Sequence, residues 1–261
     1  MGFDKSTFIV LAARLCTAVR FLTLMPIAWR AEDDSRQFAD CLVFFAVVGV
    51  IIGAVGASGV FLLSMIFPQP VVIALGLAYL AFISGCLHLD GLSDSADGLL
   101  SSRPKEVCLE IMKDSRAGAM GVVVVVMVLL MKYAALSALS KEGLLAAFFL
   151  MPLAGRCAIL LTMASLPYAR EEGGLGSLFY SGNSKKAAVG AMIFLLFFVV
   201  ILTPSHTLPI LVGFLVVTFL FNRWCKAKIG GATGDTLGAV CELTEMIVAV
   251  SLTASFTYFF L

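Results

Sequence analysis

The stretch AMGVVVVVMVLLMKYAALSAL, residues 119–139, is apolar along nearly its whole length. A helix needs about 20 mostly apolar residues to cross a bilayer, and this window has that length. The chain therefore reads as an all-α polytopic integral membrane protein with about seven transmembrane helices, six or eight being the alternatives. The further windows that predict spans lie at 41–67, 71–87, 144–166, 187–202, 208–221 and 238–261.

The composition of the whole chain indicates the same class. Hydrophobic residues make up 61% of the 261 residues and charged residues only 13%. A soluble domain has about 25% charged residues, because its surface must be solvated. This excludes a disordered chain and a nucleic-acid-binding module, and the net charge of +1 provides no field to attract nucleic acid. We expect residues 1–261 to form a single membrane-embedded domain.

The N-terminal segment differs from the predicted spans. Residues 8–29 are interrupted by Arg14 and Arg20 and then by Pro26. A helix of this kind suits the membrane interface better than the hydrocarbon core. We therefore expect a cytoplasmic or interfacial segment over residues 1–38, followed by a transmembrane bundle over 39–261 that carries its active-site connections on the cytoplasmic side.

Basic residues predict the orientation of the bundle. Fifteen of the 18 Lys and Arg residues lie in the N-terminal arm and in the connections after the second, fourth and sixth windows. Cytoplasmic loops are enriched in these residues, so the N-terminus is expected inside and the C-terminus outside. Nearly all acidic residues lie near the same connections. We therefore expect the functional site at the cytoplasmic surface.

A first acidic cluster, HLDGLSDSADG at 88–98, follows the second window. Asp90, Asp94 and Asp97 recur at i, i+4 and i+7, so they share one face of an α-helix. Three stacked carboxylates repel one another, and Mg²⁺, which prefers carboxylate oxygens, would relieve that repulsion. The spacing predicts a Mg²⁺ site, with a solvated acidic helix end as the alternative.

The second cluster, EIMKDSRAG at 110–118, adds two carboxylates four residues apart, with Lys113 and Arg116 beside them. An acid that holds a metal next to a guanidinium that binds phosphate is typical of a metal–phosphate site. The alternative is a basic pair that flanks the membrane and makes local ion pairs.

A third cluster begins with GGATGD at 230–235 and continues into the last window. A glycine-rich turn that leads into a helix offers backbone N–H groups to an anion. Acids within a membrane window are costly and usually functional. The candidate phosphate- or substrate-binding residues here are Gly230, Gly231, Gly234, Asp235, Glu242 and Glu245.

A fourth polar stretch, PYAREEGGLG at 167–176, reads either as a flexible lid or as a simple connecting loop, and it contributes Arg170. Arg156 lies inside the preceding window and needs a carboxylate or a bound phosphate as a partner. Carboxylates, arginines and an inferred Mg²⁺ together favour phosphoryl-group transfer at the cytoplasmic surface.

Five motifs, in this order along the chain, resemble the cobalamin synthases, the adenosylcobinamide-GDP ribazoletransferase family. They cover most of the sequence, and several together are specific where one would not be. The motifs are RFLT with Pro26, HLDGLSDSADGL (88–99), IMKDSRAGAMG (111–121), PYAREEGGLG (167–176) and GGATGDTLGAVCELTE (230–245).

The resemblance implies an enzyme of the cell inner membrane, with its active site facing the cytoplasm. It joins adenosylcobinamide-GDP to α-ribazole or its 5′-phosphate, with release of GMP and a requirement for Mg²⁺. The expected partners are these two substrates and the lipid bilayer, with a homo-oligomer left open. Carried onto this sequence, the metal ligands are Asp90, Asp94, Asp97 and Asp114. Arg116 and Arg156 are the expected pyrophosphate contacts, and the turn 230–235 would hold phosphate or ribazole. Lys113 and Arg170 are further candidates for substrate or phosphate binding.

A second likeness concerns mechanism. DSADG at 94–98 fits the D-x-x-D-G opening of the CDP-alcohol phosphotransferases, although the A-R that follows in that family is absent. By this analogy Asp114 is the expected general base, with Asp97 and His88 as further catalytic candidates. The alternative functions are a CDP-alcohol phosphotransferase-like lipid enzyme and a divalent-cation transporter. Transporters place their acids near the midplane, whereas these acids gather at one surface.

Overall fold

The computed structural model describes residues 5–27, 40–170, 180 and 184–254, and in these ranges the chain is helical. Short 3₁₀ turns at Cys41–Phe44 and Pro204–His206 precede two of the helices. The α-helices are α1 (Lys5–Leu22), α2 (Phe45–Leu63), α3 (Gln69–Ile83), α4 (Leu87–Leu99), α5 (Lys105–Ile111), α6 (Ala119–Ser137), α7 (Lys141–Ser165), α8 (Ser184–Leu202), α9 (Thr207–Ile229) and α10 (Gly234–Ser251).

The all-α polytopic membrane class is confirmed. Among the described residues five helical stretches are long and apolar enough to cross a membrane, and a sixth results if α3 and α4 count as one bent span. The sequence predicts about seven spans. The second window, 71–87, and the seventh, 238–261, are not among the five stretches. The five stretches are Cys41–Leu63, Ala119–Ser137, Lys141–Ser165, Ser184–Leu202 and Pro204–Ile229.

The second window, 71–87, ends early because the chain turns. α3 ends at Ile83, and Gly85 and Cys86 take left-handed backbone conformations with φ of 61° and 59°. α4 then runs at 84° to α3. At 13 residues α4 is too short to cross a bilayer alone. Because of the bend, its acidic residues do not continue along the axis of α3.

The seventh window, 238–261, overlaps α10, whose 18 residues begin at Gly234. α10 is not among the five stretches because it carries the carboxylates of Asp235, Glu242 and Glu245. It is nevertheless one of the most buried helices, since almost every residue from 236 to 245 is shielded from solvent. Its acids therefore find their partners within the protein. Residues 255–261 lie outside the described part.

α7 forms the centre of the bundle, with 78% of its apolar window buried. α2, α8 and α10 pack around it. The outer faces of α6, α8 and α9 expose large apolar side chains such as Val126, Phe197 and Phe219, which is what a lipid-facing surface requires.

The two ends of the bundle differ in their connections. At one end the chain passes between helices through the short segments 64–68, 138–140 and 203–206. The Gln69 side chain donates to the Leu139 carbonyl at 3.1 Å there, and the end of α10 borders the same region. The long polar connections lie at the opposite end, so the clusters singled out in the sequence share one side.

The predicted N-terminal helix is present as α1, which ends before Pro26. One face packs against the core through Ala18, Val19 and Leu22. The N-terminal part of α1 exposes Phe8 and Ile9. Arg14 forms an ion pair with Asp40, which ties α1 to the start of the bundle. Arg30 and Arg36 lie outside the described residues, so the placement of residues 28–39 stays a prediction.

The contact between α2 and α7 provides a test of the fold. A Cβ added at Gly53 of α2 would lie 2.3 Å from the Phe149 carbonyl oxygen of α7, whereas one added at Gly59 would meet nothing within 4 Å. We expect Gly53→Ala to destabilise the protein by about 1–3 kcal/mol because the helices must separate. Gly59→Ala is the matched control and is expected to be neutral or stabilising. Thermal unfolding in detergent measures both, and equal stability of the two variants would contradict this packing.

Candidate functional site

α4 brings the first acidic cluster onto one helical face, as predicted from its spacing. Asp90 is exposed, whereas Asp94 and Asp97 are half-buried. The opposite face of α4 is buried and includes His88 and Leu92. Because the helix runs across the end of α3, its carboxylates lie at the end of the bundle where the polar connections meet.

Asp97 has a structural task. Its two carboxylate oxygens accept hydrogen bonds from the backbone N–H of Gly118 at 2.7 Å and of Gly121 at 2.9 Å. The first N–H groups of a helix have no partner within the helix, so this carboxylate caps α6 from a neighbouring element. The first and second clusters are therefore joined through Asp97, whose lone pairs are partly committed to the backbone.

The third cluster forms the predicted turn between α9 and α10. Gly230, with φ of 83°, ends α9, and the Thr233 side chain caps α10 by accepting from the Thr236 N–H at 3.3 Å. α10 then packs closely on α4: a Cβ at Gly91 would lie 2.7 Å from the Asp235 carbonyl oxygen. Only glycine at 91 permits this approach, which brings Asp235 beside the acidic face of α4.

The fourth stretch joins the third. The Ala169 N–H donates to the Ala232 carbonyl at 2.8 Å, and the Ala232 N–H donates to the Pro167 carbonyl at 2.9 Å. Arg170 then donates to the Asp235 carboxylate at 2.6 Å. Residues 171–176, the remainder of the expected lid, lie outside the described part. Of the phosphate-binding candidates, Arg170 and Asp235 are thus partners of each other.

Asp94 has the most perturbed carboxylate of the cluster. Burial and, after it, the nearby charges of Asp90, Asp235 and Asp97 together raise the pKa of Asp94 to about 6, while the charge of Arg170 acts in the opposite direction. A carboxylate surrounded by three others favours a proton, a cation or a cationic group nearby. The acids from the first and third clusters therefore form one electrostatic unit.

Asp114 lies in a different environment. Its carboxylate accepts from the Arg116 backbone N–H at 3.1 Å and from the Arg116 guanidinium at 2.6 Å. These hydrogen bonds lower the pKa of Asp114 to about 2. A carboxylate this acidic is a weak base, and Arg116 is largely exposed. The structure thus pairs these two residues with each other and does not join Asp114 to the aspartates of α4.

A network of four charged side chains lies inside the bundle. Three of them, Arg156, Glu242 and Glu245, are candidates from the sequence, and Lys132 was missed. Lys132 of α6 donates to Glu242 at 2.6 Å and to Glu245 at 2.8 Å, and Arg156 of α7 donates to Glu245 at 2.9 Å. The Lys132 and Arg156 side chains are each only 2% exposed. Arg156 has the carboxylate partner that was one of its two alternatives. These paired, buried side chains give no support to the phosphate or substrate contacts expected of Arg156, Glu242 and Glu245, which stay a prediction.

Lys132 could have been found by the argument applied to Arg156. A lone lysine within the apolar window 119–139 needs a carboxylate partner, and α10 holds two. His88, one of the further catalytic candidates, is buried against α10, where Gly238 approaches its backbone. His88 borders a cavity together with Asp90. Because it is buried, it can position neighbouring groups of the site but is not exposed to solvent.

Two cavities flank Asp235 and Arg170. One, of about 170 Å³, has mostly apolar walls and is bordered by Asp90 and Asp235. The other, of about 280 Å³, is polar and open, and it is lined by α5 together with Ala169 and Arg170. Its charged residues are Lys105, Glu106, Glu110, Lys113 and Arg170.

The donor set can be tested against the expected Mg²⁺. Among the described residues no three His, Cys, Asp or Glu side chains lie close enough together to hold a metal ion by themselves. Mg²⁺ commonly takes only one or two carboxylates and completes its shell with water and substrate phosphates. Asp90 and Asp94, one turn apart, make no hydrogen bond or ion pair with the described part of the chain, and they fit that mode. Asp97, bound to backbone, and Asp114, bound to Arg116, fit it less well.

Comparison with known proteins places the chain in a family. The family model described as cobalamin-5-phosphate synthase matches residues 14–253. The chain belongs to this family. All four polar clusters and the buried ion network lie within the matched residues, so the family assignment covers the site as well as the bundle.

Curated relatives of the family match over nearly their whole length. An adenosylcobinamide-GDP ribazoletransferase of Acetivibrio thermocellus is 37% identical over 233 residues, which is 89% of this chain and 94% of the relative. One of Clostridium acetobutylicum is 34% identical, covering 92% and 96%. One of Geotalea daltonii is 37% identical, covering 91% and 95%. No solved structure matches this chain.

The buried network predicts a stability test. Lys132→Met leaves two carboxylates in the bundle with one cation, so we expect a loss of about 3–5 kcal/mol in unfolding free energy. Adding Glu242→Gln restores the charge balance and should recover part of that loss. Lys141→Met, at the exposed start of α7, is the matched control and should change stability by less than about 0.5 kcal/mol. Unfolding in detergent micelles measures these variants and the Glu242→Gln single variant. Additive effects of Lys132→Met and Glu242→Gln would contradict the pairing.

Proposed function

We propose that this chain joins adenosylcobinamide-GDP to α-ribazole or α-ribazole 5′-phosphate, producing adenosylcobalamin or its 5′-phosphate and GMP. The family and the names of its relatives support a transferase of cobalamin synthesis. The observation that carries the proposal is the meeting of Asp90, Asp94 and Asp235, from two distant motifs, at the end of the bundle that also holds Arg170 and Lys113.

The arrangement suits a diphosphate substrate. Arg170 and Lys113 line the polar cavity, and their positive charges would hold non-reacting phosphate oxygens. Asp90 and Asp94 would be the ligands of Mg²⁺. When bound, Mg²⁺ would neutralise charge on the diphosphate and on the departing GMP.

In this reaction the protein forms no covalent bond to the substrates and only accepts a proton. A hydroxyl of the α-ribazole sugar attacks the phosphorus on the cobinamide side of the pyrophosphate, and the P–O bond to GMP breaks. The hydroxyl proton passes to a carboxylate of the Asp90–Asp94–Asp235 group, and GMP leaves with the bridging oxygen. Most of the rate enhancement in such transfers comes from positioning and charge stabilisation. The low pKa of Asp114 argues for a role other than the base that the analogy assigned to it.

The same proposal includes an orientation in the cell inner membrane. The distribution of Lys and Arg favours a cytoplasmic site end, and the short connections would face outward. A reporter active only in the cytoplasm should be active when fused at the N-terminus or within 100–104, and inactive when inserted at 64–68. Activity at 64–68 alone would reverse the orientation without changing the fold.

The proposed reaction is tested by GMP release from adenosylcobinamide-GDP and α-ribazole by the purified protein, with and without Mg²⁺. We expect activity that depends on both substrates and is lost on chelation. Asp94→Asn should lower kcat by on the order of 10²–10³, the loss typical when one well-placed charged group is removed. Glu142→Gln is the matched control, because Glu142 lies at the other end of the bundle and is exposed.

Two results would contradict the proposal. Release of CMP from a CDP-alcohol without GMP release would identify a phospholipid-type enzyme. Divalent-cation flux in proteoliposomes without GMP release would identify a transporter. Near wild-type activity of Asp94→Asn would leave the reaction in place but remove the aspartates of α4 from the metal site.

A further inference from the structure

The apolar cavity beside Asp235 has an unusual wall composition for a site that handles a diphosphate. Residues from α1, α2, α4, α7 and α10 enclose it. The rings of Phe21 and Phe45 stack with centroids 6.0 Å apart and planes 20° apart, and Ile159 and Met163 of α7 continue the apolar wall. Phe45 and Met163 are buried.

The volume of the cavity limits what it can hold. An apolar cavity of about 150 Å³ accepts a benzene ring and stays dry, so one of about 170 Å³ is large enough for a small aromatic group. It is far too small for a corrin macrocycle. Aromatic and aliphatic walls favour a flat apolar ring over a phosphate, whose charge would be desolvated there.

Two carboxylates and the imidazole of His88 are the titratable groups that line the cavity. Asp90 and Asp235 border it, and the same two carboxylates belong to the aspartate group of the candidate site. A ligand with an aromatic ring inside the cavity and hydroxyl groups at its border would place those hydroxyls beside the carboxylates. A nucleoside with an apolar base has this shape.

We propose that the apolar cavity binds the benzimidazole ring of the acceptor nucleoside, with Met163 and Ile159 determining which base substituents are accepted. The inference rests on the proposed function and assigns the two substrates to the two cavities. The charged cavity of α5 suits the nucleotide end of the donor, since it offers lysines for phosphate and two carboxylates for base N–H groups. Asp235 of the apolar cavity and Arg170 of the charged cavity are in contact at 2.6 Å, so the acceptor hydroxyl and the diphosphate would meet beside this pair.

Narrowing the cavity tests this assignment. Met163→Phe should raise KM for α-ribazole, whose base carries two ring methyl groups, by about tenfold, the discrimination typical of a methyl-sized change in an apolar pocket. KM for a ribazole analogue with unsubstituted benzimidazole should rise less, so the ratio of kcat/KM values shifts toward the smaller base. KM for adenosylcobinamide-GDP should change by less than twofold. Met127→Phe, on a 52% exposed side chain of α6, is the matched control and should shift none of these values.

A second variant protects the test from a folding defect. Met163→Ala enlarges the cavity and should shift the preference in the opposite direction, toward the methylated base. Opposite shifts in the two variants, or this shift in Met163→Ala alone where Met163→Phe does not fold, support the inference. An unchanged preference in either folded variant overturns it, as does an equal rise in KM for both acceptors. If the wild-type protein releases GMP, such a result rejects only the base assignment; absence of GMP release rejects the proposed function instead.

Discussion

The ion network of Lys132, Arg156, Glu242 and Glu245 constrains the rest of the structure, because it sets the rotation of α10 inside the bundle. Two cations and two carboxylates balance, and each charge buried away from water has an opposite charge within hydrogen-bond distance. Rotating α10 about its axis would separate these pairs in a medium that cannot solvate them. Because the rotation of α10 is fixed, the side of the helix on which Asp235 lies is fixed as well. That side faces α4.

The close approach of α4 and α10 then builds the site. Gly91 lets the α10 backbone come near enough for Asp235 to join Asp90 and Asp94. On its other side α4 holds α6 through Asp97. α4 is thus attached at both flanks, which is how a short helix lying across the end of the bundle can hold a set of mutually repelling carboxylates. The buried network supplies rigidity, and the cluster at the end of the bundle supplies charge.

Much of this was available from the sequence, and the exceptions have physical reasons. The i, i+4, i+7 spacing predicts the acidic face of α4, and GGATGD predicts the turn before α10; both are confirmed. The break at Gly85 and Cys86 depends on left-handed backbone conformations, one of them in a non-glycine residue, which apolar periodicity does not encode. Substrate contacts were predicted for Arg156, Glu242 and Glu245 because Lys132, which lies in an apolar window and binds both glutamates, was not considered. The cavity beside Asp235 comes from five separate helices, so no single stretch of sequence indicates it.

The three aspartates with the clearest environments show why residue type alone does not assign a role. Asp94 lies among other carboxylates and has a raised pKa, Asp97 is held by two backbone N–H groups, and Asp114 is held by Arg116 with a lowered pKa. Of these three, only Asp94 accepts no hydrogen bond from the residues that the structure describes. A cation or a substrate that brings one therefore gains most by binding near Asp94. The charged and the apolar cavity follow the same principle. A charged part of a substrate binds with the least desolvation free energy in the charged cavity, and an apolar part binds best in the apolar one. The reacting atoms would then meet between the two cavities.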